Sequence, residues 1–131
     1  MFIASNITPV DQIEKELTEI QLYLDARYQS DNPSACINRL DDLQAYMARS
    51  GKLHADAEFH YNTLLNSEIV KALNITAYLP VSTLNKYIES MCKDYKYLLT
   101  WSERVNRCCT HQAEQMRTVI SNHKAQMYGK S

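Results

Sequence analysis

At 131 residues, with two glycines and three prolines, the chain can bury one modest core but is short of the turn-forming residues that an all-β fold consumes. A formal net charge of −1 argues against a strong electrostatic partner for the molecule as a whole. No stretch approaches the ~20 consecutive apolar residues of a membrane helix, so no membrane partner is expected. The four cysteines (Cys36, Cys92, Cys108 and Cys109) lack the spacing of a secreted disulfide framework. Met1-Phe2-Ile3-Ala4-Ser5 has neither the basic start nor the long apolar core of a signal peptide. Reduced thiols and a cytoplasmic location are the expectation. Abundant Leu, Ala, Glu, Gln, Lys and Arg favours helix throughout, in a single all-α domain over residues 1–131.

The first helix is predicted over about residues 9–29. Thr8 suits the N-cap, Pro9 the first helical position, and Asp11 completes a start resembling a capping box. Val10, Ile13, Leu17, Ile20, Leu24 and Tyr28 alternate steps of three and four, the narrow stripe of a helix packed on one side.

Asn32-Pro33 restarts the chain, with Asn32 capping a helix that runs over about residues 33–74. Its apolar set includes Cys36, Leu40, Leu43, Met47, Leu53, Ala57, Tyr61, Leu65, Ile69 and Leu73. Gly51 is the place to expect a kink or break, since a mid-helix glycine costs ~1 kcal/mol relative to alanine. The small neighbours Ala48, Ala55 and Ala57 suggest instead that another helix approaches closely there.

Residues 74–80 read as a turn that is unusually apolar, with Ile75, Ala77, Tyr78 and Leu79. Ser82 or Thr83 then caps a last helix over about residues 83–128, stopped by Gly129. Leu84, Ile88, Met91, Tyr95, Leu98, Val105, Cys109, Ala113, Met116 and Ile120 share one face of it. A 46-residue helix spans ~69 Å and cannot bury itself alone. The second and third helices therefore fold back on each other as a long, coiled-coil-like antiparallel hairpin. The shorter first helix makes a three-helix bundle at one end. Residues 1–66 hold ten acidic and five basic side chains, and residues 67–131 five and nine. This asymmetry suggests an acidic first helix lying along a basic last one.

The opposite end is then a two-helix arm carrying Phe59, Tyr61, Leu64, Tyr87 and Tyr95. Apolar surface left bare on such an arm points to self-association, with a dimer as the expected order. A second stripe on the last helix, Tyr97, Trp101, Arg104 and Cys108, has the residue types of a protein-binding strip. Burial of Trp101 under the first helix is the plainer alternative. Lys86, Lys93, Lys96, Arg104 and Arg107 cluster opposite the apolar stripe, where a single-stranded nucleic acid could track, or where a basic face is merely solvated.

Cys108, Cys109 and His111 look metal-binding, yet adjacent helical residues diverge by ~100° and two usable ligands fall short of four. His54, Asp56, Glu58 and His60 form the densest titratable cluster, for which surface pairing four residues apart is the simple expectation. No phosphate loop, nucleophile elbow, HExxH pattern or cofactor motif occurs, so catalytic, metal and cofactor residues are all expected to be none.

The runs Leu84-Asn85-Lys86-Tyr87-Ile88-Glu89-Ser90-Met91-Cys92-Lys93-Asp94, Leu98-Leu99-Thr100-Trp101-Ser102-Glu103-Arg104-Val105-Asn106-Arg107, Thr110-His111-Gln112 and Tyr46-Met47-Ala48-Arg49-Ser50-Gly51-Lys52-Leu53 carry a resemblance. Over about residues 40–127 the chain resembles small helical proteins of unknown function encoded by phages and integrated elements of gut Bacteroidales. The resemblance implies a host-cytoplasmic setting and supplies no activity or site. The expected function is a non-enzymatic, self-associating accessory factor that binds another protein. A nucleic-acid helper in recombination or replication is the alternative.

Overall fold

The computed structural model describes residues 6–29, 31–75 and 79–129. The signal-peptide reading of residues 1–5 and the middle of the apolar turn, residues 76–78, lie outside the described residues. Among the described residues the fold is all-α, with α1 (Val10–Asp25), α2 (Pro33–Ile75) and α3 (Val81–Gly129). No helix among them is long and apolar enough to cross a membrane.

α2 and α3 form the hairpin. Going up α2, Arg39 meets Gln112, Met47 and Ser50 meet Asn106, His54 meets Ser102, and the His60 ring lies edge-on to Tyr95. The partners descend on α3 as the numbers rise on α2, so the helices are antiparallel. α1 runs against α2 and with α3: Thr8 sits at Asp56, and the Leu24 carbonyl sits at Gln112. Its stripe of Ile13, Leu17, Ile20 and Leu24 closes a core made by Cys36, Leu43, Leu53 and Ala57 of α2 with Leu98, Val105, Cys109, Ala113 and Met116 of α3. Each fully buried Leu or Ile contributes roughly 1.5–3 kcal/mol, so this stripe is what fastens α1 to the hairpin.

Helix ends differ from the sequence expectation for tertiary reasons. Thr8 does not cap α1, because its amide and hydroxyl both donate to the Asp56 carboxylate, at 2.9 and 2.7 Å. Pro9 takes the N-cap position, and its carbonyl accepts from Ile13 N–H at 2.9 Å. α1 stops at Asp25 rather than Gln29 because other helices satisfy its last carbonyls. Arg39 Nη2 donates to the Tyr23 carbonyl at 3.2 Å and Gln112 Nε2 to that of Leu24 at 3.1 Å. Tyr28 then folds back onto the Arg39 guanidinium, 4.3 Å from its ring centre. At the start of α2 the expected cap is present, Asn32 Oδ1 accepting from Ala35 N–H at 3.2 Å. α3 opens at Val81, one residue before Ser82. The Pro80 carbonyl accepts from Thr83 and Leu84 N–H at 3.0 and 3.1 Å, which leaves Ser82 and Thr83 inside the first turn.

α2 runs unbroken through Gly51. A Cβ built there would meet only Asn106 Nδ2, at 3.6 Å, an ordinary van der Waals distance. Close helix approach therefore does not require this glycine. A short polar seam lies beside it. The Asn106 amide donates to the Met47 carbonyl and to Ser50 Oγ, both at 2.9 Å, while the Ser50 hydroxyl donates to Met47 O at 3.1 Å. One turn away the Ser102 hydroxyl donates to Leu99 O at 2.8 Å, so its oxygen accepts from His54 Nδ1–H at 3.1 Å. Polar partners at fixed positions in an apolar seam penalise every other register, since a slip would bury them unpaired.

Candidate interaction surfaces

α1 covers the half of the hairpin away from the turn, between Arg39 and Asp56 of α2, and leaves two stretches of α3 outside it. Beyond the start of α2 the last turns of α3, residues 121–129, are mostly exposed. At the other end the arm formed by residues 61–75 and 81–94 has no third helix over it among the described residues.

One face of the arm carries an apolar groove of about 530 Å³, built by Tyr61, Leu65, Ile69 and Leu73 of α2 with Val81, Leu84 and Ile88 of α3. Leu65, Ile69 and Leu73 recur every four residues and so line one ridge. Leu73 is 68% and Val81 72% exposed, well outside the range of core residues. Asn85, Glu89 and Lys96 form the polar edge. Of the five arm residues expected from sequence, Tyr61 lines this groove and Leu64 is half-buried beside it in sequence. Tyr87 is exposed elsewhere on the arm, and Phe59 is exposed on α2 just before it. Tyr95 is half-buried against His60, near the start of α1. Leu65, Ile69, Leu73, Leu84 and Ile88 are positions of the expected apolar stripes, but periodicity reports a face and not whether a neighbour covers it, and nothing in the spacing singles out Val81.

The strip expected on α3 divides. Trp101 is half-buried at the α1 boundary, its Nε1–H donating to Gln21 Oε1 at 3.1 Å, and Cys108 is half-buried beside Gln112. Tyr97 and Arg104 remain exposed. Between α1 and α3 opens a second cleft of about 340 Å³, lined by Val10 and Glu14 with Asp94, Tyr95, Tyr97, Leu98 and Trp101. On the outer side of Tyr97, Lys93, Lys96 and Arg104 with Glu89 and Thr100 line a shallow depression. Lys86 and Arg107 share this exposed face, where Arg107 pairs with Glu103.

The basic face of α3 thus points to solvent and not at α1, and the expected pairing of an acidic first helix with a basic last one is absent among the described residues. Among the described residues the one ion pair that α1 makes is Glu16 with Arg49 of α2, two Arg nitrogens each 2.7 Å from a carboxylate oxygen. That bidentate bond holds the Glu16 carboxyl below its ordinary range.

The titratable cluster on α2 is rebuilt as a clamp on the segment before α1. Asp56 is 2% exposed and takes Lys52 Nζ at 2.7 and 2.9 Å besides the two Thr8 bonds. Burial pushes its carboxyl up, but the bonds from Lys52 and Thr8 outweigh burial and hold it below the usual range. Lys52 also donates to the Asn6 carbonyl at 2.6 Å, and His60 Nε2–H to that of Thr8 at 2.7 Å. The expected surface pairs His54–Glu58 and Asp56–His60 do not form, since each histidine is engaged across a helix boundary. Among the described residues no group of three or more His, Cys, Asp or Glu side chains could hold a metal. Burial pushes the Cys92 and Cys109 thiols up, which disfavours the reactive thiolate.

Among the residues that sequence reasoning missed, Arg39 ties the most together. Arg39 is 7% exposed, with its guanidinium between the rings of Tyr23 and Tyr28, 4.5 and 4.3 Å from their centres, and its Nη2 2.7 Å from Gln112 Oε1. It ties all three helices with no carboxylate partner among the described residues, and nothing local in the sequence marks it.

Comparison with protein-family models, with curated proteins and with solved structures found no match to the chain.

Proposed function

We propose that this chain is a non-enzymatic interaction protein that self-associates through its two-helix arm and binds a further protein, as an accessory factor of a phage or mobile element acting in the host cytoplasm. The uncovered groove on the arm carries the reading. Leu65, Ile69, Leu73 and Val81 present apolar surface that a second copy of the arm would cover, and a two-fold contact needs only one self-complementary patch. The accessory setting rests on the sequence resemblance.

Size-exclusion chromatography with light scattering tests the association. A concentration-dependent dimer that dissociates on Ile69→Lys or Leu73→Lys supports it, and a strict monomer at the highest attainable concentration removes it. The depression with Lys93, Lys96, Arg104 and the exposed Tyr97 supports a second reading, backbone tracking and base stacking on single-stranded nucleic acid. Failure to shift labelled single-stranded DNA at low salt, where phosphate contacts are strongest, would remove that alternative.

A further inference from the structure

Cation recognition is already built into this molecule once. The Arg39 guanidinium lies over two tyrosine rings, a contact of positive charge with aromatic faces, and the chain fills that site with its own side chain. The cleft between α1 and α3 has the same chemistry without the cation. Tyr95, Tyr97 and Trp101 supply three aromatic side chains within two turns of α3, and Glu14 and Asp94 supply carboxylates from the two helices that bound the cleft. We propose that this cleft binds an organic cation, an alkylated ammonium head held between aromatic faces and two carboxylates.

Three observations carry the proposal. The aromatic walls are positioned before any ligand arrives: Trp101 is tied to Gln21, Tyr97 leans on Trp101 with ring centres 6.2 Å apart at 45°, and Tyr95 is held edge-on by His60. Among the described residues the exposed Glu14 and Asp94 carboxylates are in no ion pair, as holds for most acidic side chains there, so no internal cation competes for them. A volume of about 340 Å³ admits a trimethylammonium head with its first methylenes, and Val10 and Leu98 provide apolar contact for the methyl groups. Lys93 and Arg104 lie in the depression with the other side of Tyr97, so they oppose a cation there and favour the acidic side.

The sources of such a cation are a free quaternary ammonium or a methylated lysine side chain on a polypeptide. The chain has one tryptophan, so Trp101 fluorescence reports occupancy directly. The full-length chain is titrated with choline at constant ionic strength, and with 3,3-dimethylbutan-1-ol, which has the same shape without the charge. We expect a saturable change with choline, with a dissociation constant on the order of millimolar, as suits a few cation–aromatic contacts, and binding of the alcohol at least about tenfold weaker. Tyr97→Ala is expected to weaken choline about tenfold. Tyr97 is 69% exposed, so the variant should keep the parent melting temperature. The double change Glu14→Gln with Asp94→Asn keeps shape and removes the charge, and is expected to weaken choline several-fold while leaving the alcohol unchanged.

A capped peptide with a single trimethyllysine separates the sources. Tighter binding than choline assigns the cleft to a polypeptide side chain, and equal or weaker binding assigns it to a free ammonium head. No saturable signal with either cation, or equal binding of choline and the alcohol, overturns the proposal.

Discussion

The body and the arm of the hairpin are made of the same two helices, yet they are held by different means. In the body, α1 closes a core in which Leu17, Leu43 and Leu53 are wholly buried, and its ends are fastened by polar nodes at Asp56 and Arg39. In the arm, residues of the same apolar type, Leu73 and Val81, stand more than half exposed. Identical chemistry is therefore spent on folding in one region and left available for association in the other. A third helix, and not the composition of the pair, makes the difference.

The largest effect should come from cutting the same side chain in both regions. Leu17→Ala is expected to cost about 3–4 kcal/mol in urea unfolding, as a buried leucine that leaves a cavity. Leu73→Ala should cost under about 0.5 kcal/mol at low protein concentration, as a surface change. If the two costs match at low concentration, the arm is covered within the monomer and the contrast fails. If the Leu73→Ala cost grows with protein concentration, the arm is covered by association, by mass action.

Next in size is the clamp. Asp56→Ala leaves the Thr8 donors without their acceptor, strips the Lys52 ammonium of its carboxylate partner and should cost about 2 kcal/mol. Its pH signature has a definite sign. The folded carboxyl titrates below its ordinary value of 3.8, so as pH falls the unfolded chain takes up the proton first. The stabilisation is complete above about pH 4–5 and is lost as pH drops through the folded value. Glu16, lowered by Arg49, adds to it with the same sign. Acid unfolding curves of the parent and the Asp56→Ala variant should therefore converge at low pH, and parallel curves would show that Asp56 contributes no proton linkage.

Smaller than the clamp effect, and opposite in sign, is a gain at Gly51. Gly51→Ala replaces an exposed mid-helix glycine whose added Cβ meets only an amide end at 3.6 Å, so stability should rise by about 0.5–1 kcal/mol. A loss of that size in thermal unfolding would mean that the body is packed more tightly at Asn106 than the 3.6 Å contact allows.

The hairpin was legible in the sequence because a helical stripe is local. Ile13, Leu17, Ile20 and Leu24 announce themselves by spacing, and Asn32-Pro33 announces a start. What escaped were contacts between residues far apart in the chain. Thr8 looks like a cap until Asp56, 48 positions later, takes both of its donors. Gln29 looks like a helix end until Arg39 and Gln112 satisfy the carbonyls of Tyr23 and Leu24. Trp101 could have faced a partner or the core, and a single glutamine on α1 decided for the boundary between them. The candidate surfaces follow the same division. Tyr97 and Arg104 are exposed on one helix and could be named in advance, whereas the cleft needed Val10 and Glu14 to be carried to α3 by the fold.

The two polar nodes also make α1 a ligand in its own right. It is pinned near one end through Thr8 and at the other through the carbonyls of Tyr23 and Leu24, with its apolar stripe between. The connection from Asp25 to Pro33 holds it near its groove at an effective concentration on the order of millimolar, as short tethers do. Cutting that connection would turn an intramolecular docking into a two-component complex. The fragment carrying residues 1–25 would then be a natural competitor for its own hairpin, able to displace the resident helix when added in trans.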